Sequence, residues 1–240
     1  YINNFYKKKL FQFFFMQADK IIVNSKSFKI SLKKILNVNS NFIYNTCDKI
    51  NFKKKKEPFF SKYKGLKIVN IGRLTDQKNQ LFLLEVFNEL IKNIDSRLLL
   101  VGQGKKREEL EKFISKNNLS KNVKLYGYAK NPLNLMHQAD LFVLTSKYEG
   151  LPNVLIEAQM LGLPIISSDC PTGPREILLN GLLGDLYPVN NKKVLLSKIK
   201  SFYLNKNKLK MKSLKATKYL NRFNSEKNLE KYYSIIKQFN

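Results

Sequence analysis

Residues 141–168 read LFVLTSKYEGLPNVLIEAQMLGLPIISS, and this stretch decides the fold. It opens with an apolar run, Leu141 to Thr145, and closes with another, Pro164 to Ser168. Between them, Asn153 to Leu161 has the length and apolar composition of a buried helix. The proline before it suits a first helical turn, and the Gly-Leu-Pro after it ends a helix. Two short apolar strands joined by one helix predict parallel pairing within one sheet.

The same alternation extends in both directions from this unit. Further strands are predicted at 67–72, 98–102 and 123–126, and further helices at 79–92, 105–116, 132–138 and 174–179. Continuous apolar strands that alternate with helices are typical of a parallel sheet covered on both faces. The sequence therefore predicts an α/β fold with a Rossmann-like, doubly wound parallel sheet. Such sheets bind ligands beyond the carboxyl ends of their strands.

A lysine run marks a predicted domain boundary. Residues 1–52 read as helix, strand, helix, strand, and Lys53 to Lys56 then interrupts every periodicity, as solvated linkers do. We expect a linker at 53–60, a ligand-binding domain at 61–205 and C-terminal helices at 206–240 that pack back toward the first segment. Because the chain starts at Tyr1 rather than Met, we expect it to be cut at its N-terminus.

The last predicted helix carries one apolar stripe. Its members are Leu229, Tyr232, Tyr233, Ile236 and Phe239, with Asn224 or Ser225 as the candidate N-cap. A terminal amphipathic helix can contact a membrane, but packing against the protein itself is favoured.

The net charge of +26, from 44 Lys and Arg against 18 Asp and Glu, has three explanations. A basic excess serves nucleic acid binding or contact with anionic lipid. It can also be compositional, because a chain rich in Lys, Asn, Ile, Phe and Tyr matches A/T-rich codons. The scattered lysines favour the compositional explanation.

Cysteine content and hydropathy bear on the cellular compartment of the protein and on whether it has a membrane-spanning segment. Cys47 and Cys170 are too few and too far apart for a disulfide framework or a zinc site, which indicates a cytosolic protein. The longest apolar stretch, Leu10 to Ala18, falls far short of the roughly 20 residues of a spanning helix. No signal peptide pattern is present.

Two carboxylates flank the start of the helix in the opening stretch. Glu149 lies in the loop before this helix and Glu157 lies within it. An ionised Glu in a buried helix is costly unless it is paired or hydrogen-bonded. One interpretation is a structural Glu satisfied by lysine or backbone partners. The favoured one is a pair of carboxylates that accept hydrogen bonds from the hydroxyls of a ligand.

Two cations follow the first strand of the predicted domain. Gly72-Arg73-Leu74 ends that strand, and Lys78 precedes the next helix, so both side chains can converge on one anion. Arg provides a planar fork and Lys a point charge, which together suit a diphosphate.

Other segments at strand ends allow two interpretations each. Gly102 and Gly104, in Val101-Gly-Gln-Gly104, form either a structural turn or a nucleotide contact; the third glycine of a dinucleotide fingerprint is missing. Tyr128 is either a ligand contact or core. Glu176 is either a ligand residue or a favourable acid in the first turn of a helix. His137 is interpreted as a packing residue and Cys170 as an ordinary small residue.

These motifs, from Gly72 to Glu176, resemble the retaining GT-B glycosyltransferases of family 4, also called group 1. The resemblance rests on Gly-Arg-Leu-x-x-x-Lys, on Val-Gly-x-Gly, and on Glu-x7-Glu after an apolar strand that ends in Ser or Thr. It implies that Glu149 contacts the donor sugar, that Glu157 holds the ribose, and that Arg73 and Lys78 neutralise the diphosphate leaving group. It also implies a catalytic set of Arg73, Lys78 and Glu149. The donor contacts it implies are Gly72, Gly102, Gly104, Tyr128, Gly150, Leu151, Asn153, Glu157 and Glu176.

The resemblance implies a function for the whole protein. That function is transfer of a sugar, with retention, from a nucleotide sugar (a UDP-sugar by expectation) to a glycan or lipid-linked acceptor in surface polysaccharide biosynthesis. The resemblance implies catalysis without a metal ion, and the sequence, which has no Asp-x-Asp and no histidine cluster, is consistent with this; no cofactor is expected. Residues 1–52 would be the remnant of an acceptor-binding domain.

Alternatives to this function remain at the level of sequence. One is a fragment that binds nucleotide sugar without catalysing transfer. Another is a basic nucleic-acid-binding protein, although no nucleic-acid motif is recognisable. The expected location is cytoplasmic. Peripheral contact with anionic membrane through 6–16 is a further alternative, but the favoured interpretation of that helix is a surface of the truncated domain that the cut exposes.

Overall fold

The computed structural model describes residues 5–47 and 56–239. The chain divides into two compact units, one formed by Tyr1–Asp48 with Arg222–Asn240 and the other by Lys49–Asn221. The predicted C-terminal segment at 206–240 is therefore shared between the two units. Of the predicted linker at 53–60, residues 53–55 lie outside the described ranges.

The smaller unit starts with the predicted order of helix, strand, helix and strand. These elements are α1 (Phe5–Met16), β1 (Ile22–Val23), α2 (Lys26–Leu36) and β2 (Asn41–Phe42). The two short strands pair in parallel, and Val23, Leu32, Leu36 and Val38 form a small core. Ser25 caps α2, because its Oγ accepts a hydrogen bond from the amide of Phe28 at 3.1 Å.

Helix α1 exposes most of its aromatic residues. None of its residues is buried, and Tyr6 is 81% exposed. The exposed set also includes Phe5, Phe11, Phe13 and Phe14. Within the described ranges, no helix has both the length and the apolar character needed to cross a bilayer.

The larger unit is built on one six-stranded parallel sheet. Its strands are β3 (Leu66–Ile71), β4 (Ser96–Val101), β5 (Val123–Gly127), β6 (Leu141–Leu144), β7 (Ile165–Ser168) and β8 (Asp185–Tyr187). They lie in the order β5-β4-β3-β6-β7-β8. The chain thus runs outward from β3 to one edge and returns to the middle at β6, which is the doubly wound arrangement the sequence predicts.

Seven helices of the described chain belong to this unit. They are α3 (Gln80–Leu90), α4 (Arg107–Lys116), α5 (Leu133–Met136), α6 (Asn153–Met160), α7 (Pro174–Ile177), α8 (Lys192–Leu204) and α9 (Lys206–Thr217). The main core joins α3 to the strands through fully buried side chains such as Leu84, Phe87, Leu98 and Leu141. Burial of aliphatic surface of this kind is the main stabilising term of such a sheet.

Strand β8 is not predicted from the sequence. It has only three residues, begins with Asp185 and lies at the edge of the sheet, so neither its length nor its hydropathy indicates a strand. Register with β7 and burial of Tyr187 hold it in place. The Tyr187 hydroxyl donates to the carbonyl oxygen of Leu144 at 3.2 Å.

Residues 57–60 pack into the larger unit instead of forming the solvated linker that the lysine run suggests. Glu57 is 6% exposed and pairs with Lys124 at 2.6 Å. Phe60 is buried, and Arg97 donates to the carbonyl oxygen of Phe59 at 2.6 Å. The ion pair of Glu57 and the packing of Phe59 and Phe60 hold this segment against the larger unit, although the adjacent lysines are polar.

The C-terminal helix buries a different face from the predicted one. A 3-10 turn at Leu220–Phe223 precedes α10 (Ser225–Ile236), and Asn224 caps this helix by accepting from the amide of Lys227. The buried residues are Asn228 and Ile235, seven positions apart, whereas most of the predicted stripe is exposed: Leu229, Tyr233, Ile236 and Phe239. The prediction that this stripe packs against the protein is therefore wrong by a shift of one position.

Candidate functional site

The crevice at the centre of the sheet lies between two loops that carry predicted site residues. Strands β3 and β6 are neighbours, but the chain leaves β3 toward β4 and leaves β6 toward β7. The loops after them therefore diverge and leave a crevice beyond the carboxyl ends of the two strands. The loop after β3 carries 72–78, and the loop after β6 carries 145–152.

An ion pair links these two loops. The Nζ of Lys78 lies 2.6 Å from Oε1 of Glu149, and the two side chains are 14% and 7% exposed. The Oγ1 of Thr145 also donates to the carbonyl oxygen of Lys78 at 2.9 Å. The structure thus brings together two of the three residues predicted to be catalytic.

A second side chain bonds to the same carboxylate oxygen. The hydroxyl of Ser146, which is fully buried at the end of β6, donates to Oε1 of Glu149 at 2.6 Å. The carbonyl oxygen of Ser146 in turn accepts from the hydroxyl of Ser168 at 2.7 Å. Ser146 is not among the residues predicted from the sequence, although a Ser that ends an apolar strand three residues before a Glu was the available signal.

The backbone of Glu149 is held independently of its side chain. Its amide donates to the carbonyl oxygen of Pro171 at 2.8 Å, and the Thr172 amide donates back to the Glu149 carbonyl oxygen at 2.9 Å. The Thr172 hydroxyl adds bonds to the carbonyl oxygens of Glu149 and Gly150 at 3.2 and 3.1 Å. This double pairing fastens the loop after β7 to the loop after β6.

Gly173 allows the close approach of those two loops. Its φ is 89°, and a Cβ atom there would overlap the carbonyl oxygen of Gly150 and crowd Pro152. Only glycine meets both conditions without strain.

Glu157 lies within α6 in a half-buried position and has an unsatisfied oxygen. Its Oε2 is inaccessible to solvent and has no hydrogen-bond partner among the described residues. Burial away from water raises the pKa of this carboxyl above its ordinary value. The interpretation of a structural Glu satisfied by lysine or backbone partners therefore does not account for this oxygen. A buried acceptor without a partner is suited to a donor on a ligand.

The backbone segment before α6 belongs to the loop that follows β6. Within the described part of the chain, the N–H groups of Gly150 and Leu151 donate no hydrogen bond. Leu151 anchors this segment with a buried side chain, while Gly150 and Asn153 are exposed. Unpaired amides near the N-terminus of a helix suit an anion or a hydroxyl.

Arg73 does not take part in the ion pair between Lys78 and Glu149. Its side chain is exposed, and no ion pair of its guanidinium occurs in the ranges 5–47 and 56–239. Its backbone carbonyl oxygen accepts from the Gln80 side chain at 3.0 Å, which fixes the turn but leaves the charged group accessible. Gly72, beside it, is covered by the aliphatic stem of Lys78.

Gly102 and Gly104 shape the turn next to Arg73. Gly102 has a φ of 147°, and a Cβ atom on it would overlap the carbonyl oxygen of Gly72. Gly104 similarly lies against the backbone of Leu74, whose amide donates to the carbonyl oxygen of Gln103 at 2.9 Å. These glycines have a structural reason to be small, and their contact with a donor stays a prediction.

The remaining candidates separate clearly by exposure. Tyr128 is 70% exposed after β5, so it is not a core residue. Glu176 is half-buried on α7. His137, interpreted as a packing residue, is exposed at the end of α5 and is not part of the core. Cys170 is 3% exposed, and burial raises the pKa of its thiol to about 12.

Sequence comparison identifies the family. Residues 51–219 match the family described as glycosyl transferases group 1. The chain belongs to this family. The GT-B resemblance found in the motifs is thereby confirmed for most of the chain. The matched range contains the crevice and every predicted site residue from Gly72 to Glu176.

Curated relatives of this group 1 glycosyltransferase chain are longer than it is. It is 37% identical over 179 residues to an uncharacterised glycosyltransferase, MJ1059, of Methanocaldococcus jannaschii, covering 70% of this chain and 44% of the relative. It is 30% identical over 233 residues to the N-acetylgalactosamine-N,N'-diacetylbacillosaminyl-diphospho-undecaprenol 4-alpha-N-acetylgalactosaminyltransferase of Campylobacter jejuni, covering 90% of this chain and 62% of the relative. The chain thus spans about half the length of its curated relatives.

Solved structures agree with the fold. A mutant of TarM from S. aureus, in complex with fondaparinux, alpha-GlcNAc-glycerol and UDP, superposes with a TM-score of 0.80 at 24% identity, covering 91% of this chain and 44% of that one. Alr3699/HepE of Anabaena, in complex with UDP, superposes with a TM-score of 0.79 at 21% identity, covering 92% and 64%. At this identity the likeness establishes the fold alone.

Proposed function

We propose that the crevice between β3 and β6 binds a nucleotide sugar, and that the protein transfers its sugar to an acceptor hydroxyl. One observation carries the proposal. The crevice holds a cation and carboxylate pair, Lys78 and Glu149, and α6, which follows the same loop, carries a buried Glu157 oxygen that has no partner among the described residues. A nucleoside diphosphate sugar carries anionic phosphates, which match Lys78, and two sets of hydroxyl donors, on the sugar and on the ribose, which match Glu149 and Glu157.

The ribose is assigned to Glu157. A carboxylate accepts hydrogen bonds well, and the two hydroxyls of a ribose are donors without charge. Rotation of the half-buried Glu157 side chain would bring its buried Oε2 to a ligand hydroxyl, which would supply the partner that the described residues do not provide. Binding would also favour the ionised carboxylate, which burial disfavours in the free protein.

The diphosphate is assigned to Arg73 and Lys78. The guanidinium of Arg73 is exposed after β3, and Lys78 follows on the same loop. Lys78 would exchange part of its contact with Glu149 for phosphate oxygens. The two cations would then stabilise the charge that develops on the leaving diphosphate when the glycosidic bond breaks. Retention at the anomeric carbon and independence of a metal ion belong to this proposal, and no residue is assigned as a general base.

The donor sugar is assigned to Glu149 and to the backbone that follows it. The described hydrogen bonds to the Glu149 carboxylate converge on Oε1, so Oε2 is the oxygen available to sugar hydroxyls. The amides of Gly150 and Leu151, together with Asn153 at the start of α6, would face the sugar and its phosphate.

The names of relatives support a UDP-sugar donor and a glycan or lipid-linked acceptor. The Campylobacter jejuni relative is named for an acceptor that carries diphospho-undecaprenol. HepE has been solved with UDP and with UDP-glucose. We therefore place the protein in the biosynthesis of surface polysaccharide or lipid-linked oligosaccharide, on the cytoplasmic side.

Calorimetric titration of UDP and UDP-glucose, followed by a transfer assay with the same preparation, tests the proposal. We expect UDP to bind to the wild-type chain, and Glu157→Gln and Lys78→Met each to weaken its binding about 10-fold or more. Wild-type affinity in both variants would remove the crevice as the donor site. Binding without transfer would favour the second candidate, a nucleotide-sugar-binding chain that is not itself catalytic. A steep loss of RNA or DNA affinity with salt would instead support the nucleic-acid alternative.

The exposed aromatic side chains of α1 favour an additional, peripheral contact with a membrane surface. Its exposed rings lie close in sequence to Lys7, Lys8 and Lys9, a composition that suits the interface of an anionic bilayer. Sedimentation with vesicles of phosphatidylglycerol, but not of phosphatidylcholine, is the expected result. Equal recovery with both lipids would contradict an electrostatic contact.

A further inference from the structure

We propose that Ser146 is a positioning residue that orients the Glu149 carboxylate toward the donor sugar. This inference rests on the proposed function and deepens it, because it names the group that sets how the sugar is recognised. Ser146 is fully buried, and its hydroxyl lies 2.6 Å from Oε1 of Glu149. A bond from a hydroxyl to a carboxylate at this distance is charge-assisted and directional.

The bond becomes more important when a donor is present. In the free protein, Oε1 of Glu149 accepts from both Lys78 and Ser146. A diphosphate would compete with the Glu149 carboxylate for Lys78, because both groups are anionic. Ser146 has no comparable competitor, since it is out of reach of solvent and its main chain is fastened by the Ser168 hydroxyl at 2.7 Å. Ser146 is then the side chain that keeps Oε1 occupied and leaves Oε2 for the sugar.

A purely structural role for Ser146 predicts that loss of its hydroxyl impairs folding, whereas the positioning role does not. The backbone of Glu149 is already held by the reciprocal bonds with Pro171 and Thr172. Loss of the Ser146 hydroxyl therefore leaves the loop anchored and removes only the constraint on the carboxylate. The effect should appear in discrimination between sugars and not in folding or in affinity for UDP.

The chain offers a closely matched control in Ser167. It is also fully buried at the carboxyl end of a central strand, and its hydroxyl donates to a carbonyl oxygen, that of Ser168, at 2.9 Å. Ser167→Ala removes a buried hydroxyl of the same kind without touching Glu149. Ser146→Thr retains the hydroxyl and serves as the rescue variant, with its unfolding temperature measured alongside.

The experiment measures the affinities of UDP, UDP-glucose, UDP-galactose, UDP-N-acetylglucosamine and UDP-N-acetylgalactosamine by calorimetry. We expect the wild type to discriminate among the four sugars, and Ser146→Ala to reduce the spread of their affinities about 10-fold, as Glu149→Gln does. UDP affinity should stay unchanged in Ser146→Ala, and the full spread should remain in Ser167→Ala and Ser146→Thr.

Two other outcomes have separate meanings. If Ser146→Ala keeps the wild-type spread while Glu149→Gln loses it, the positioning role is wrong and the proposed function stands. If the four sugars bind equally to the wild type and Glu149→Gln changes nothing, Glu149 does not contact the sugar, and this part of the proposed function is overturned together with the inference.

Discussion

The Nζ of Lys78 lies 2.6 Å from Oε1 of Glu149, although the two residues are 71 positions apart in the sequence. Both side chains are largely shielded from water, so each lowers the cost of burying the other. The pair exists because β3 and β6 are neighbours in the sheet, which places the loops that follow them side by side.

Replacement of Lys78 by Met should weaken UDP binding about 10- to 100-fold, because a charge-assisted bond to phosphate is lost. The measurement is a calorimetric titration at constant ionic strength. Lys92→Met is the matched control, since Lys92, just after α3, forms a solvent-exposed ion pair with Glu89. Equal affinities in the two variants would exclude Lys78 from the diphosphate site.

Glu157→Gln should change how stability depends on pH. The pKa of Glu157 is raised above its ordinary value of 4.5, so the folded state holds its proton more tightly than the unfolded state does. The free energy of unfolding of the ligand-free wild type should then fall, relative to the variant, as the pH rises from 4.5 through the raised pKa. Urea unfolding at pH 4 and pH 7.5 compares the two proteins. A constant difference between them would contradict a perturbed carboxyl at this position.

Gly173→Ala should destabilise the protein more than Gly162→Ala. Both glycines have positive φ, 89° and 62°, so each substitution has a backbone cost of roughly 1 kcal/mol. Only at Gly173 would the new methyl group also overlap the carbonyl oxygen of Gly150; at Gly162 it would meet nothing within 4 Å. Urea unfolding should show an additional loss of about 1–3 kcal/mol for Gly173→Ala. Equal losses would mean that the loops can separate without cost.

Tyr128→Ala should lower the affinity for UDP without lowering the unfolding temperature. Its ring is 70% exposed, so little packing is lost, whereas stacking of an aromatic ring on a base contributes about 1–3 kcal/mol. Tyr203→Ala, on α8 and 41% exposed, provides the control for loss of a surface tyrosine. An unchanged affinity in Tyr128→Ala would show that this ring does not stack on the base of the nucleotide.

The sheet was predictable because its central strands are continuous apolar runs separated by helices with clear ends. Periodicity gave β3, β4, β6 and β7 to within about two residues. It could not give β8, whose three residues depend on pairing with β7. The offset of one position in the buried face of α10 has a similar cause, since neighbours decide which side of a helix is covered.

The candidate site was predictable only in part. Motif spacing placed Lys78 and Glu149 after two predicted strands, but the adjacency of those strands, and with it the direct bond between the two side chains, depends on strand order. The unsatisfied oxygen of Glu157 requires coordinates, because sequence shows a buried helix and not the partners available to each atom. Ser146 and Thr172 act through contacts that form only in the folded chain, and a single sequence does not show which loops are in contact.

The contrast between the two thiols has a practical consequence. Cys170 is buried with a pKa of about 12, whereas Cys47 is half-exposed. The thiolate is the nucleophile that adds to a maleimide, so a maleimide dye at neutral pH should label the native chain at Cys47 alone. A single fluorophore can therefore be attached outside the larger unit without engineering, and later appearance of a second labelled thiol would report unfolding around β7.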